Sequence, residues 1–327
     1  MEARHYRRLE GGQVQCLLCP HACRIQPGGA GLCRIRRNEN GTLEAAGYGR
    51  LVSMAMDPVE KKPLYHFHPG SQILSTGPNG CNLSCQFCQN WETSQVEIPT
   101  AAVSPEELVQ AAKSHQSIGI AYTYTEPLVW FEYLMDACAL ARGAGLANVL
   151  VTNGYVNPGP LEELLPLVDA MNVDLKAMDP EFYRQVCGGE LAPVLATIGK
   201  AHGRCLVELT NLVIPGLNDS PGQQQALVDW VAGLDPGIPL HLSRYFPQYK
   251  MRRPATSEIT LIEFANRARE KLHYVYVGNI RLPDMADTRC PDCGRVLVDR
   301  QGYRVRVPGI ERGACRGCGR KADIIGI

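Results

Sequence analysis

The sequence lacks an excess of either charge: 33 lysines and arginines offset 33 aspartates and glutamates over 327 residues, and the pI is ≈ 7.0. The global basic footprint carried by nucleic-acid binders is therefore missing, and nucleic acid is not expected as a partner. Long apolar runs are missing as well. None follows the arginines of the opening MEARHYRRLEGGQVQC, and no uncharged apolar stretch reaches the roughly 18 residues of a membrane span. Neither a signal peptide nor a membrane partner is expected, which points to a soluble, cytoplasmic protein. Low-complexity tracts are absent too. With 45% hydrophobic and 20% charged residues the chain can build one large or two ordinary domains, which excludes a disordered or fibrous protein.

What the chain does have is cysteine, 14 in all. In a chain with no export signal they argue for metal or cluster ligation rather than disulfides. Three clusters hold most of them: Cys16, Cys19, Cys23 and Cys33; then Cys81, Cys85 and Cys88; then Cys290, Cys293, Cys315 and Cys318. The singles Cys138, Cys187 and Cys205 lie in apolar or helical contexts, where a lone thiol behaves as a small buried hydrophobe.

Between Ser71 and Gly278 short runs of branched and aromatic residues alternate with turns and amphipathic stretches, the pattern of consecutive βα units. Six strands are expected, beginning at Ser71, Gly119, Ala147, Ala170, Cys205 and Pro239. Helix starts are expected at Ser104-Pro105-Glu106-Glu107 and Ser220-Pro221-Gly222-Gln223, each with an N-cap serine and proline in the first helical position. Such units form either a doubly wound sheet or a barrel, and periodicity alone does not choose. In both, loops at the C-terminal strand ends bear the site, and the polar motifs GCNLSC, YTYTEP, VTNG, VDLK and VIPGLND all fall there.

The three cysteines of Gly80-Cys81-Asn82-Leu83-Ser84-Cys85-Gln86-Phe87-Cys88 follow the first strand at spacings x3 and x2. Three thiolates suit three corners of a cubane [4Fe–4S] cluster and leave the fourth iron open, although a zinc ion with a borrowed fourth ligand uses similar spacing. Cys290-Pro291-Asp292-Cys293-Gly294 and Cys315-Arg316-Gly317-Cys318-Gly319 are paired knuckles of zinc-ribbon type, with one rubredoxin-like iron as the alternative occupant. A hairpin strand is expected at Tyr303–Val307, after the Asp299–Gly302 turn. Cys16, Cys19, Cys23 and Cys33 also fit zinc or a second iron–sulfur cluster, and the lack of a third x2 spacing favours zinc. Both flanks are net basic, which metal-bound thiolates would partly offset.

With these residues in place, the stretch 71–279 resembles a radical SAM enzyme. The resemblance implies a laterally open, partial (β/α)6 TIM-like barrel in the α/β class, with small cysteine-rich metal-binding modules at both ends. It implies a [4Fe–4S] cluster on Cys81, Cys85 and Cys88 and S-adenosylmethionine (SAM) on the open iron, with main-chain atoms of Phe87 meeting adenine. Tyr124-Thr125-Glu126-Pro127 is similar to the Gly-Gly-Glu-Pro motif that receives the methionine amino group, with both glycines replaced. Thr152-Asn153-Gly154 and Asp174-Leu175-Lys176 resemble Thr-Asn-Gly and Asp-Leu-Lys of pyruvate formate-lyase activating enzymes, where Asp174 and Lys176 would meet ribose and methionine carboxylate.

The flanks narrow the resemblance. CxLCPHxC, GLCRIRxN, DPxEKKPLYHFHPGS, GCNLSCQFCQNW, TYTEP, TNG, DLK, RYFP and a terminal double CxxC together resemble the radical SAM component of the AmmeMemoRadiSam system over the whole chain. This implies three parts: a cysteine-rich module in 1–50, a radical SAM core in 51–286 and a zinc-ribbon or rubredoxin-like module in 287–327. It also implies cleavage of SAM to a 5′-deoxyadenosyl radical, hydrogen abstraction from a partner protein or peptide, and a low-potential donor such as flavodoxin or ferredoxin. The competing reading is a non-catalytic zinc and iron–sulfur binding or electron-transfer module.

Overall fold

The computed structural model describes residues 1–327. Its centre is an eight-stranded open sheet. The strands are β1 (Ser53–Pro58), β2 (Gln72–Gly77), β3 (Gly119–Tyr122), β4 (Ala147–Thr152), β5 (Ala170–Asp174), β6 (Leu206–Val213), β7 (Leu240–Arg244) and β8 (Val275–Gly278). They lie in sequence order, parallel from β2 to β8, with β1 antiparallel on the β2 edge. All six expected strands are present, and β1 and β8 extend the sheet by one strand at each edge. Neither carried a turn-bounded βα signature of its own: β1 precedes the first unit and β8 follows the last helix.

Six helices make the crossovers: α1 (Pro105–Ser114), α2 (Phe131–Gly143), α3 (Pro158–Leu164), α4 (Leu191–Ala201), α5 (Pro221–Leu234) and α6 (Glu258–Arg269). The two expected starts are there. At α1 the Glu107 amide donates to Ser104 Oγ at 3.2 Å and Glu107 Oε2 accepts from the Ser104 amide at 2.7 Å, a complete capping box. At α5 only half forms: the Gln223 amide donates to Ser220 Oγ at 3.3 Å, and Gln223 Oε1 has no partner.

Side-chain alternation along the strands decides between barrel and doubly wound sheet. Leu74, Ile120, Tyr122, Leu150, Met171 and Val173 share one large core with the helices. Ile73, Ala121, Val149 and Ala170, one residue out of step, pack instead against Val59, Leu64 and Phe67 of the segment between β1 and β2. None of the six crossover helices contributes to this inner cluster. Helices thus cover one face, and the other is plugged from within, as in a barrel. The plug continues in polar form. Glu208 accepts from the amides of Tyr65 (3.0 Å) and His66 (2.7 Å) and lies 2.6 Å from His241 Nε2, all buried or nearly so.

The ends differ in how they attach. Val14, Leu18, Ile25 and Leu43 join the main core, and the buried Arg36 pairs with Glu132 of α2 at 2.9 Å. The C-terminal residues have a small core of their own, Cys290, Leu297, Val298, Ile310, Cys315 and Ala322. The expected hairpin there pairs Val296–Gln301 with Arg304–Arg306. Arg300 reaches back to the plug, donating to the Tyr65 carbonyl at 2.6 Å, and Ile325 exchanges main-chain bonds with His66 and His68 at 2.8 Å.

Candidate functional site

The loop leaving β2 carries the three cysteines, and its path is fixed by close packing. A Cβ on Gly80 would lie 2.4 Å from the Cys33 carbonyl oxygen, so only glycine fits before Cys81. On the other side the Ser84 and Gln86 amides donate to the carbonyls of Cys187 and Val186 at 2.8 and 3.0 Å. Gly188, at φ 73°, lies so close that a Cβ would meet Ser84 Oγ at 2.5 Å. The loop is held between an N-terminal strap and the turn after β5.

Polar hydrogens point at the thiols. Cys81 Sγ accepts from the Leu83 amide at 3.4 Å and from Asn153 Nδ2 at 3.6 Å, and Cys88 Sγ lies 3.2 Å from Ser94 Oγ. Burial pushes the Cys81 and Cys88 thiols up, whereas hydrogen bonding from Cys187, with help from Lys176, brings Cys85 down. Buried thiols that resist ionisation alone but receive N–H and O–H donors suit a positively charged iron centre. The donor set therefore fits a cluster.

Around the rim, Asp174 ends β5 and its Oδ2 accepts from Lys176 Nζ at 2.8 Å. Burial lowers the Lys176 ammonium, but Asp174 and the neighbouring thiols Cys85 and Cys187 outweigh it and hold the group charged. The same Nζ stands 5.9 Å from the Phe87 ring centroid. Lys176, Asp174, Phe87 and Cys85 are thus brought together. Thr152 and Asn153 meet at Glu126, whose Oε1 accepts from Thr152 Oγ1 (2.6 Å) and the Leu128 amide (2.9 Å) and whose Oε2 accepts from the Asn153 amide (2.7 Å). Burial lifts the Glu126 carboxyl to about 7 despite these donors. Tyr124 and Thr125 turn their side chains elsewhere, to Asp57 Oδ2 (2.9 Å) and the Pro78 carbonyl (2.7 Å). At these two positions the rim is left with main chain.

Sequence reasoning missed two contributors. Cys187, expected to be an inert hydrophobe, is a buried free thiol whose hydrogen bonding lowers the Cys85 pKa; the Gly188-Gly189 pair behind it marks the close approach. Asn82, inside the cysteine motif, receives Asn153 Nδ2 on its Oδ1 at 2.9 Å and donates to the Tyr155 carbonyl at 2.6 Å. His241 lies in the plug beside Glu208 and away from the rim. Of two cavities, one of about 540 Å³ is lined by His21, Tyr155, Arg184 and Glu190, and one of about 390 Å³ by Gln86 of the loop with Lys250, Arg252 and Arg253. Neither is lined by a cluster cysteine, so the converging thiols and rim groups define the site.

The other thiol sets differ in spread. Sγ atoms of Cys290, Cys293, Cys315 and Cys318 all lie within 4.8 Å of one another, with the pairs Cys290–Cys318 and Cys293–Cys315 at 3.6 Å. Zn–S bonds of about 2.3 Å at tetrahedral angles place sulfurs ~3.8 Å apart, so this set fits one ion. Cys16, Cys19, Cys23 and Cys33 are neighbours that act on one another electrostatically, but they do not form so tight a group.

Known proteins resemble the chain in sequence and in fold. The Radical SAM superfamily profile matches residues 76–224. A protein of Methanocaldococcus jannaschii, itself uncharacterized, is 41% identical over 333 residues and covers 99% of each chain. The benzylsuccinate synthase activating enzyme of Thauera aromatica is 24% identical over 57% of this chain and 58% of its own, so the match spans little more than half of that enzyme. The crystal structure of a radical SAM methyltransferase from Sphaerobacter thermophilus superposes with a TM-score of 0.52 at 18% identity, over 65% of this chain and 67% of that one. Residues 76–224 thus match the Radical SAM superfamily, and the chain is similar to the activating enzymes of benzylsuccinate synthase and pyruvate formate-lyase.

Proposed function

We propose that the protein is the radical SAM component of an AmmeMemoRadiSam system and abstracts hydrogen from a partner protein or peptide, as an activating enzyme does. The observation that carries this reading is the placing of Lys176, paired with Asp174 at the C-terminal end of the sheet, beside Cys85 and the Phe87 ring of the cysteine motif. A cluster held by Cys81, Cys85 and Cys88 would supply the one electron needed for reductive cleavage of SAM.

The chain's own residues do the rest. Cys81, Cys85 and Cys88 hold the cluster, and Asn153 and the Leu83 amide steady the Cys81 sulfur. Lys176 would meet the methionine carboxylate of bound SAM, Asp174 the ribose hydroxyls, and Phe87 main-chain atoms the adenine. Glu126 fixes Thr152 and Asn153, and the main chain at Tyr124 and Thr125 faces the methionine amino group. Cys290, Cys293, Cys315 and Cys318 hold zinc, which secures the module 287–327 under the core 51–286, with 1–50 as the strap over the cysteine loop. The exposed Lys250, Arg252 and Arg253 beside Gln86 offer an acidic peptide a landing site at the open edge, and the electron comes from a flavodoxin- or ferredoxin-type protein. The test is isotopic. Reduced enzyme with SAM and a uniformly deuterated partner protein is expected to yield deuterated 5′-deoxyadenosine, and unlabelled product from every candidate partner overturns the protein-substrate reading.

A further inference from the structure

We infer that Asp57, held by Lys61 and Lys62, is a positioning residue for SAM: it anchors the Tyr124 hydroxyl and so keeps the turn Thr123–Thr125 in a strained shape that presents main chain to the methionine amino group. The role rests on the radical SAM reading above; the strained turn and its anchor do not.

The turn departs from ordinary backbone. Tyr124 has φ 69°, and the Thr125 amide donates to the Thr123 carbonyl at 2.9 Å. A hydrogen bond that spans one central residue of positive φ marks the rare, strained form of the three-residue turn. Glycine adopts such a φ freely, whereas a Cβ crowds the following carbonyl. A tyrosine here therefore needs a hold that glycine would not. Backbone strain of this kind persists only where the surroundings enforce it, and it gathers at ligand sites.

The hold comes from two sides. On one, Tyr124 Oη donates to Asp57 Oδ2 at 2.9 Å, and the same carboxylate accepts from Lys62 Nζ on Oδ2 and from Lys61 Nζ on Oδ1, both at 2.7 Å. The Lys62 side chain is 2% exposed, and its Nζ stands 4.8 Å from the Tyr124 ring centroid, so the ring is gripped as well as its hydroxyl. Burial pushes the Asp57 carboxyl up, but hydrogen bonds from Lys61, Lys62 and Tyr124 outweigh it and hold it well below the usual carboxylate range. The acceptor is thus a charged one, and its bond to the hydroxyl is correspondingly firm. On the other side, Asn90 Nδ2, two residues past Cys88, donates to the Tyr124 carbonyl at 2.6 Å. Thr125 Oγ1 donates to the Pro78 carbonyl at 2.7 Å, and the Glu126 amide to the Gly80 carbonyl at 3.3 Å. The turn is therefore fastened between the cysteine loop and β1, and the Asp57–Lys62 stretch, otherwise without a role, supplies the fastening on β1.

The experiment uses full-length protein reconstituted anaerobically with iron and sulfide, with calorimetric titration of SAM and thermal unfolding as readouts. Tyr124→Ala removes the anchor but keeps a Cβ, and is expected to bind SAM roughly fivefold to thirtyfold more weakly than wild type. Tyr124→Gly removes the anchor together with the need for it, and is expected to recover most of that loss. Asp57→Asn is expected to weaken SAM binding in the wild-type background and to add no further loss to Tyr124→Gly, a coupling that a merely structural Asp57 would not show. Alanine and glycine variants that bind SAM alike overturn the inference, as do equal Asp57→Asn losses in both backgrounds. If Asp57→Asn fails to fold, Tyr124→Phe, which deletes only the hydroxyl, takes its place; weaker binding than Tyr124→Gly supports the anchor, and wild-type affinity overturns it. A wild-type protein with full iron and sulfide that binds no SAM refutes the radical SAM reading instead. The turn is then still tested by stability: Tyr124→Gly is expected to melt above Tyr124→Ala, and the reverse order overturns the strain.

Discussion

Replacing Lys176 by alanine separates a SAM seat from a structural brace. The ammonium is 11% exposed and makes one ion pair, 2.8 Å to Asp174, whose side chain is 37% exposed. Solvent screening at Asp174 limits the stability of that pair to about 1 kcal/mol or less. The bracing at this position is made by main chain: the Lys176 amide donates to Tyr183 Oη at 3.0 Å, and its carbonyl accepts from Asn211 and Asn218 at 3.2 and 2.7 Å. Alanine keeps all three bonds, so the fold is expected to survive and the cluster to assemble with normal iron. A charged hydrogen bond to the SAM carboxylate contributes about 1.5–3 kcal/mol. Its loss corresponds to roughly tenfold to hundredfold weaker binding. Anaerobic calorimetric titration of SAM gives the affinity and thermal unfolding the stability. Wild-type affinity with a lowered Tm would refute the seat and leave only the brace.

Gly80→Ala places a methyl 2.4 Å from the Cys33 carbonyl, an overpacking cost of about 1–3 kcal/mol, and should lower iron content; Gly222→Ala, which has no atom within 4 Å of its Cβ, is the matched control. Cys315→Ala should release one zinc and open residues 288–320 to protease, because the ribbon core is only six buried residues; retained zinc and an uncut ribbon would count against the site. Glu208→Gln should destabilise by about 3–5 kcal/mol while leaving SAM affinity alone, as Glu208 serves the inner plug. Burial pushes the Glu208 carboxyl up, but hydrogen bonding from His241 and from the His66 amide holds it below its usual range. Its contribution is therefore present above the ordinary glutamate value and lost as pH falls through the lowered one, so the variant's deficit in urea melts should shrink toward acid pH.

The βα alternation showed the six inner strands and the C-terminal position of the site because parallel strands buried on both faces read as apolar runs bounded by polar turns. The edges were less legible. β1 reads as Ser-Met-Ala-Met-Asp-Pro, with a proline and an acid that sit comfortably only at a sheet edge. Cysteine spacing grouped the thiols, and the structure brings one of those groups, Cys290, Cys293, Cys315 and Cys318, together, since ligands from one loop must lie close in sequence. It gave no sign of Cys187, roughly a hundred residues from Cys85, or of the Glu208–His241 contact, since these pairs are made by register between distant strands and turns. Glu126 was legible as a motif, but not its three donors, two of which come from the end of the neighbouring strand.

Reductive cleavage of SAM tests the central claim most directly. Anaerobically reconstituted protein, reduced with dithionite in the presence of SAM, is expected to form 5′-deoxyadenosine and methionine in equal amounts, and the C81A/C85A/C88A variant to form neither. A wild-type protein that carries its full complement of iron and sulfide yet leaves SAM intact, or a triple variant that still cleaves it, would contradict the account.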